Sequence, residues 1–90
     1  MRIEILASTM VTDIDSEAVI TNLMTEHMYG LNPVATQMWK SLEQTHDTEA
    51  TLQSMLKLYE VSEAQLEADL HELVQNLEKH GIIRVVEQTT

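Results

Sequence analysis

The stretch "HMYGLNPVATQMW", His27–Trp39, changes character halfway. Its first five residues alternate like a strand, and "VATQMW" is spaced like a helix. Asn32-Pro33 stands at the joint. Asn is a good helix N-cap, and Pro suits the first helical position, where its missing N–H costs nothing. Ala35, Met38, Trp39 and Leu42 then recur at i, i+3, i+4 and i+7, one face of a helix. A strand running straight into a helix leaves no long loop to carry a catalytic group.

Upstream, Arg2–Thr12 is predicted as a first strand, with Ile3 and Ile5 on one face. "DIDS", Asp13–Ser16, has short polar side chains that bond their own backbone, the chemistry of a turn. "EAVITNL", Glu17–Leu23, is rich in β-branched residues and is predicted as a second strand. "MTE", Met24–Glu26, is a hairpin turn without the usual Gly. "HMYGL", His27–Leu31, is the third strand, and the spacing implies a three-stranded antiparallel meander.

Downstream, "QTHDT" breaks the first helix, and Asp47 or Thr48 caps a second whose face is Leu52, Met55, Leu56 and Tyr59. Ser62 and Gln65 are spaced as a capping box for a third helix. Its stripe is Leu66, Leu70, Leu73, Val74 and Leu77. Lys79 and His80 complement the negative end of the helix dipole, and Gly81 ends it. "IIRVV", Ile82–Val86, is a short last strand, and "EQTT" is expected to fray. The expected fold is α+β: a three-stranded antiparallel sheet followed by three helices, in a winged helix-turn-helix-like arrangement.

Ninety residues make one small domain with little room for a deep catalytic cavity. Leu, Ile, Val and six Met must fill the interior, since there are three aromatics and no Phe. Met plugs irregular core gaps, and it also favours peptide-binding surfaces. No cysteine is present. That excludes disulfides, a thiolate zinc site and a cysteine nucleophile, and it fits a cytoplasmic protein. No apolar run approaches the ~18 residues of a membrane span, and the N-terminal stretch is not a signal peptide. The net charge of −10 would repel phosphate, which argues against nucleic acid as a partner.

The four histidines, His27, His46, His71 and His80, follow no metal-ligand spacing. Carboxylate pairs such as Glu63 with Glu67, or Asp69 with Glu72, fall on solvated helix surfaces. There is no G-x-S-x-G elbow, no P-loop and no G-x-G-x-x-G, so no catalytic residue, metal or cofactor is expected. A third strand at a sheet edge would offer unpaired backbone groups, and an extended peptide can add to such an edge as a further strand.

"EAVITNLMTEHMYGLNPVATQMWKSLE" resembles the PqqD-like proteins, whose pattern runs "geavllnl-tg-yygLN-ga--iW--l". "VSEAQLEADLHELVQNLEKHGII" is similar to that family's ending. The resemblance covers Val11–Ile83, and its most specific part is "YGLN" followed by Trp39, with Asp69 and Gly81 in register. Glu26 departs from the pattern, standing where Gly is common. The resemblance implies a recognition domain, residues 1–90, that binds the leader of a ribosomally made precursor peptide. The leader adds as a strand to the third strand and lies against the third helix. Carried over onto this chain, the peptide-binding positions are His27, Met28 and Tyr29 with Leu66, Asp69, Leu70, Leu73 and Asn76; Leu31 and Trp39 match core positions. The implied partners are a leader protease and an ATP-dependent cyclase of a lasso-peptide pathway. The alternatives are a chaperone presenting the precursor to a radical SAM enzyme and, disfavoured by charge, a winged-helix DNA-binding regulator.

Overall fold

The computed structural model describes residues 1–86, so the "EQTT" tail lies outside the described residues. The chain forms strands β1 (Arg2–Ile5), β2 (Thr9–Ile14), β3 (Glu17–Asn22) and β4 (His27–Leu31). Helices α1 (Pro33–Thr45), α2 (Thr48–Leu58) and α3 (Glu63–Lys79) follow, and strand β5 (Ile83–Val86) comes last. The architecture is α+β, with three helices and an antiparallel sheet of order β2-β3-β4.

One expectation needs correction. The stretch Arg2–Thr12 is not one strand but two, and they belong to different sheets. β1 pairs antiparallel with β5, Ile3 opposite Val85, while β2 pairs with β3. The chain crosses between the sheets at Leu6–Ser8. There the Leu6 N–H donates to the Ile82 carbonyl at 2.9 Å, and the Ser8 carbonyl accepts from Leu23 N–H at 2.7 Å. "LAS" holds no Gly or Pro to mark the break. The partners that divide the stretch come from both far ends of the fold.

The joint between strand and helix is built as its residues suggest. Asn32 Oδ1 accepts the Ala35 N–H at 2.8 Å, with Pro33 at the start of α1. Thr36 then ties the helix to the sheet: its hydroxyl accepts the Ala18 N–H at 3.0 Å and donates to the Leu31 carbonyl at 3.4 Å. A buried hydroxyl so placed satisfies a backbone donor that would otherwise be stranded in the core. The abrupt strand-to-helix transition therefore holds the end of β4 and the start of α1 in one rigid corner.

Strand alternation turns Ala18, Ile20 and Leu31 inward, where they meet Met38, Trp39 and Leu42 of α1. Met55 of α2 and the α3 stripe of Leu66, Leu70, Leu73, Val74 and Leu77 close the same core. Each fully buried leucine contributes roughly 1.5–3 kcal/mol. Trp39 is buried, and its indole N–H finds no acceptor among the described residues.

The helix breaks follow the local chemistry with two departures. His46 takes left-handed backbone, φ 54°, and its N–H closes α1 on the Leu42 carbonyl. Ser62 caps α3 by accepting the Gln65 N–H at 3.2 Å. The return half of the expected capping box is absent among the described residues; the Gln65 amide points along α3, where Nε2 donates to Asp69 Oδ1 at 2.9 Å. Tyr59, expected within the α2 face, stands just past that helix in extended backbone. Glu26 adopts φ 62°, the left-handed conformation that favours Gly.

Asp47 caps α2 and accepts a bond from the Met1 ammonium at 3.3 Å. Partial burial works to raise its pKa, but the Met1 ammonium and the Ala50 and Glu49 N–H groups together outweigh it and lower it. A carboxyl depressed in the folded state stabilises above its unfolded pKa, and that contribution is lost as pH falls through the folded value. Asp47→Ala is expected to cost about 1 kcal/mol at neutral pH, the usual worth of an N-cap. Paired thermal melts should show the difference narrowing as pH falls through the folded-state pKa of Asp47.

Candidate functional site

β4 is an edge strand: it pairs with β3 on one side only. Its other side carries backbone N–H and C=O groups without a strand partner among the described residues. α3 runs alongside, and three side chains bridge the two. Asn76 Nδ2 donates to the Tyr29 hydroxyl at 3.1 Å. The Tyr29 ring lies 5.0 Å from the His80 ring, tilted by 57°. His80 Nδ1 donates to the Asn76 carbonyl at 2.7 Å.

This bridge separates two clefts. The first, of about 290 Å³, opens between the end of β4, the start of α1 and the middle of α3. Val34, Ala35, Met38 and Leu73 line it with apolar surface, and Asn32, Asp69, Glu72 and Asn76 supply polar groups. The second, of about 430 Å³, is lined by Asn22, Thr25, His27, Lys79, His80 and Gly81. An open sheet edge beside a cleft lined by both apolar and polar side chains can hold an extended chain by its backbone and accept alternate side chains.

Asn22 sets the geometry of this region. It is 5% exposed, and its amide bonds on both sides. Nδ2 donates to the His80 carbonyl at 2.8 Å, and Oδ1 accepts the Met24 N–H at 2.9 Å and the Thr25 N–H at 3.3 Å. The β3–β4 turn is thereby clasped to the end of α3. Gly81 fits beneath it at φ 71°, where an added Cβ would stand 2.9 Å from Asn22 Nδ2.

The eight positions singled out from sequence fall into four groups. Tyr29, Asp69, Leu73 and Asn76 come together around the first cleft, and His27 lines the second. Met28 is 69% exposed and, by strand alternation, points to the opposite face of the sheet from Tyr29. Leu66 and Leu70 are 2% and 4% exposed; they belong to the core and line neither cleft. Sequence reasoning missed Asn22, Asn32, Val34, Ala35, Met38, Glu72, Lys79 and His80. A signal existed for two of them. Asp69, Glu72, Asn76 and Lys79 recur at i, i+3, i+7 and i+10, a polar stripe adjoining the leucines. The methionines divide as well: Met38 and Met55 fill the core, while Met10, Met24 and Met28 are exposed. Among the described residues no three His, Asp or Glu side chains gather as a metal site. No helix there is long and apolar enough to cross a membrane.

Compared with known families, residues 17–83 match the model of PqqD, coenzyme PQQ synthesis protein D. The chain belongs to the PqqD family. Two solved structures share the PqqD-family fold seen here. TbiB1, in complex with the TbiA(beta) leader peptide, is 24% identical, with a TM-score of 0.85 over 94% of this chain and 99% of that one. A lasso peptide synthetase B1, complexed with the leader peptide, is 21% identical, with a TM-score of 0.82 over 94% of this chain and 100% of that one. A comparison with curated proteins finds no match.

Proposed function

We propose that this PqqD-family protein binds the leader of a ribosomally synthesised precursor peptide as a strand added to the free edge of β4. It then hands the peptide to the leader protease and the ATP-dependent cyclase of a lasso-peptide pathway in the cytoplasm, without catalysis of its own. The observation that carries this function is the open β4 edge beside the cleft of Tyr29, Leu73 and Asn76. The two solved proteins of like fold, each bound to a leader peptide, support it. A second function has its own support in the family match: presentation of a precursor to a radical SAM enzyme. A winged-helix arrangement would be shared with DNA-binding regulators. Fold does not imply function, and a net charge of −10 with Asp69 and Glu72 at the cleft opposes a phosphate backbone.

The test uses peptides of about 20 residues selected on the protein from a random display library. In antiparallel pairing, successive N–H groups alternate between the partner strand and solvent, and proline has none to donate. A proline scan of the best binder is expected to weaken binding with a period of two. Each harmful site should lose up to about tenfold, the worth of a main-chain bond. The peptide should be recovered with unchanged mass. Sensitive positions three and four apart would mean a helical ligand and would refute strand addition.

A further inference from the structure

The two clefts carry opposite charge. At the end of β4, Asp69 and Glu72 line the first, and neither carboxylate has an ion-pair partner among the described residues. At the start of β4, His27, Lys79 and His80 line the second. Lys79 is one of only five Lys and Arg in a chain with fifteen carboxylates, and it too makes no ion pair among the described residues. Capping does not use up these groups. The His80 carbonyl already accepts from Asn22, and the Asn76 carbonyl from the backbone and ring of His80. Glu26 and Glu78 neighbour His27 and Lys79 in sequence, yet neither lines the second cleft.

We infer that this charge separation fixes the direction and register of the bound peptide: the groove takes an extended segment with a basic side chain upstream and an acidic one about four residues downstream. This rests on the strand-addition function above and adds the chemistry of the ligand. All strand pairs among the described residues are antiparallel, the slightly stronger arrangement per residue. A peptide added antiparallel to β4 enters beside Leu31 and Asn32 and leaves beside His27. Its earlier residues thus meet Asp69 and Glu72, and its later ones meet Lys79 and His80. From Asp69 to Lys79 the helix rises about 15 Å at 1.5 Å per residue. A strand covers that distance in roughly four residues at 3.4 Å each, and residues four apart share a face. The net charge alone would favour any cationic peptide. Only the separation of charge distinguishes its order.

Three synthetic peptides decide the matter. They share the sequence of one selected binder and differ at two positions four apart: Lys then Glu, Glu then Lys, or Gln at both. The first two have identical composition and net charge. Fluorescence anisotropy at low salt is expected to give the Lys-first peptide about tenfold tighter binding than its isomer, with the Gln peptide between. The gap should shrink as salt rises, because exposed charges are screened. The paired variant Glu72→Lys with Lys79→Glu changes two exposed side chains and should reverse the order. Equal affinities for the two isomers, with the Gln peptide still bound, would overturn this inference and leave leader binding intact. A Glu-first preference in the unmodified protein would overturn the antiparallel direction and the inference with it. A Gln peptide whose proline scan lacks the period of two would remove strand addition itself.

Discussion

Leu73→Glu is expected to unfold the protein rather than only to weaken peptide binding. Leu73 borders the first cleft, yet it is 4% exposed and packs in the same core as Leu70, Val74 and Leu77. Removing the leucine forfeits roughly 1.5–3 kcal/mol of apolar burial. The carboxylate must then stay charged in an apolar site or take up a proton, and either adds further cost. A chain of this size has a total stability of roughly 5–13 kcal/mol, so the sum removes much of it. Loss of the cooperative melt by circular dichroism would bear this out. A melt close to that of the unmodified protein would mean that the side chain turns out into the cleft. Groove binding is better probed at exposed Glu72 and Lys79, where a substitution leaves the core alone.

Asn22→Ala is expected to lower stability by about 3 kcal/mol, a fall in Tm of roughly 15 °C for a domain of this size. The substitution strands the His80 carbonyl and the Met24 and Thr25 N–H groups near a buried position. Each buried group left unpaired costs about 1–3 kcal/mol, and water at the turn recovers part of it. Asn22→Asp separates the two halves of the clasp. Its carboxylate still accepts from the turn, but it sets a negative charge against the His80 carbonyl at the negative end of α3. The Asp variant should therefore be the worse of the two at neutral pH. Because the protonated acid can donate as the amide does, its deficit should shrink as pH falls. Weaker peptide binding in either variant at a temperature where it remains folded would tie the clasp to the spacing between β4 and α3.

Asn22 also shows where sequence reasoning ends. In "EAVITNL" it is one polar residue in a β-branched strand, and the His80 carbonyl that it clasps lies 58 residues away. By contrast, the caps at Asn32, Asp47 and Ser62 were legible, because each acts on an N–H three residues on. The same holds for Gly81, whose left-handed backbone ends α3 locally. For the site, the open edge of β4 followed from strand order and the α3 stripe from helical periodicity. Their combination did not show that Leu66 and Leu70 are buried and line neither cleft. A helical wheel gives an angle, and it does not say at which height along the helix the sheet gives way to a cleft.

From its own sequence this chain determined the order of strands and helices from Glu17 onward, the corner at Asn32-Pro33 and the apolar face of every helix. These depend on backbone preferences and side-chain spacing within a few residues, which each segment carries with it. Tertiary structure alone decided that Arg2–Thr12 divides between two sheets and that β5 returns to pair with β1. It also decided that charges of opposite sign stand at the two ends of the β4 groove. Those outcomes depend on which groups meet across long stretches of chain, and burial of one shared core sets them. A local pattern holds no record of its distant partners.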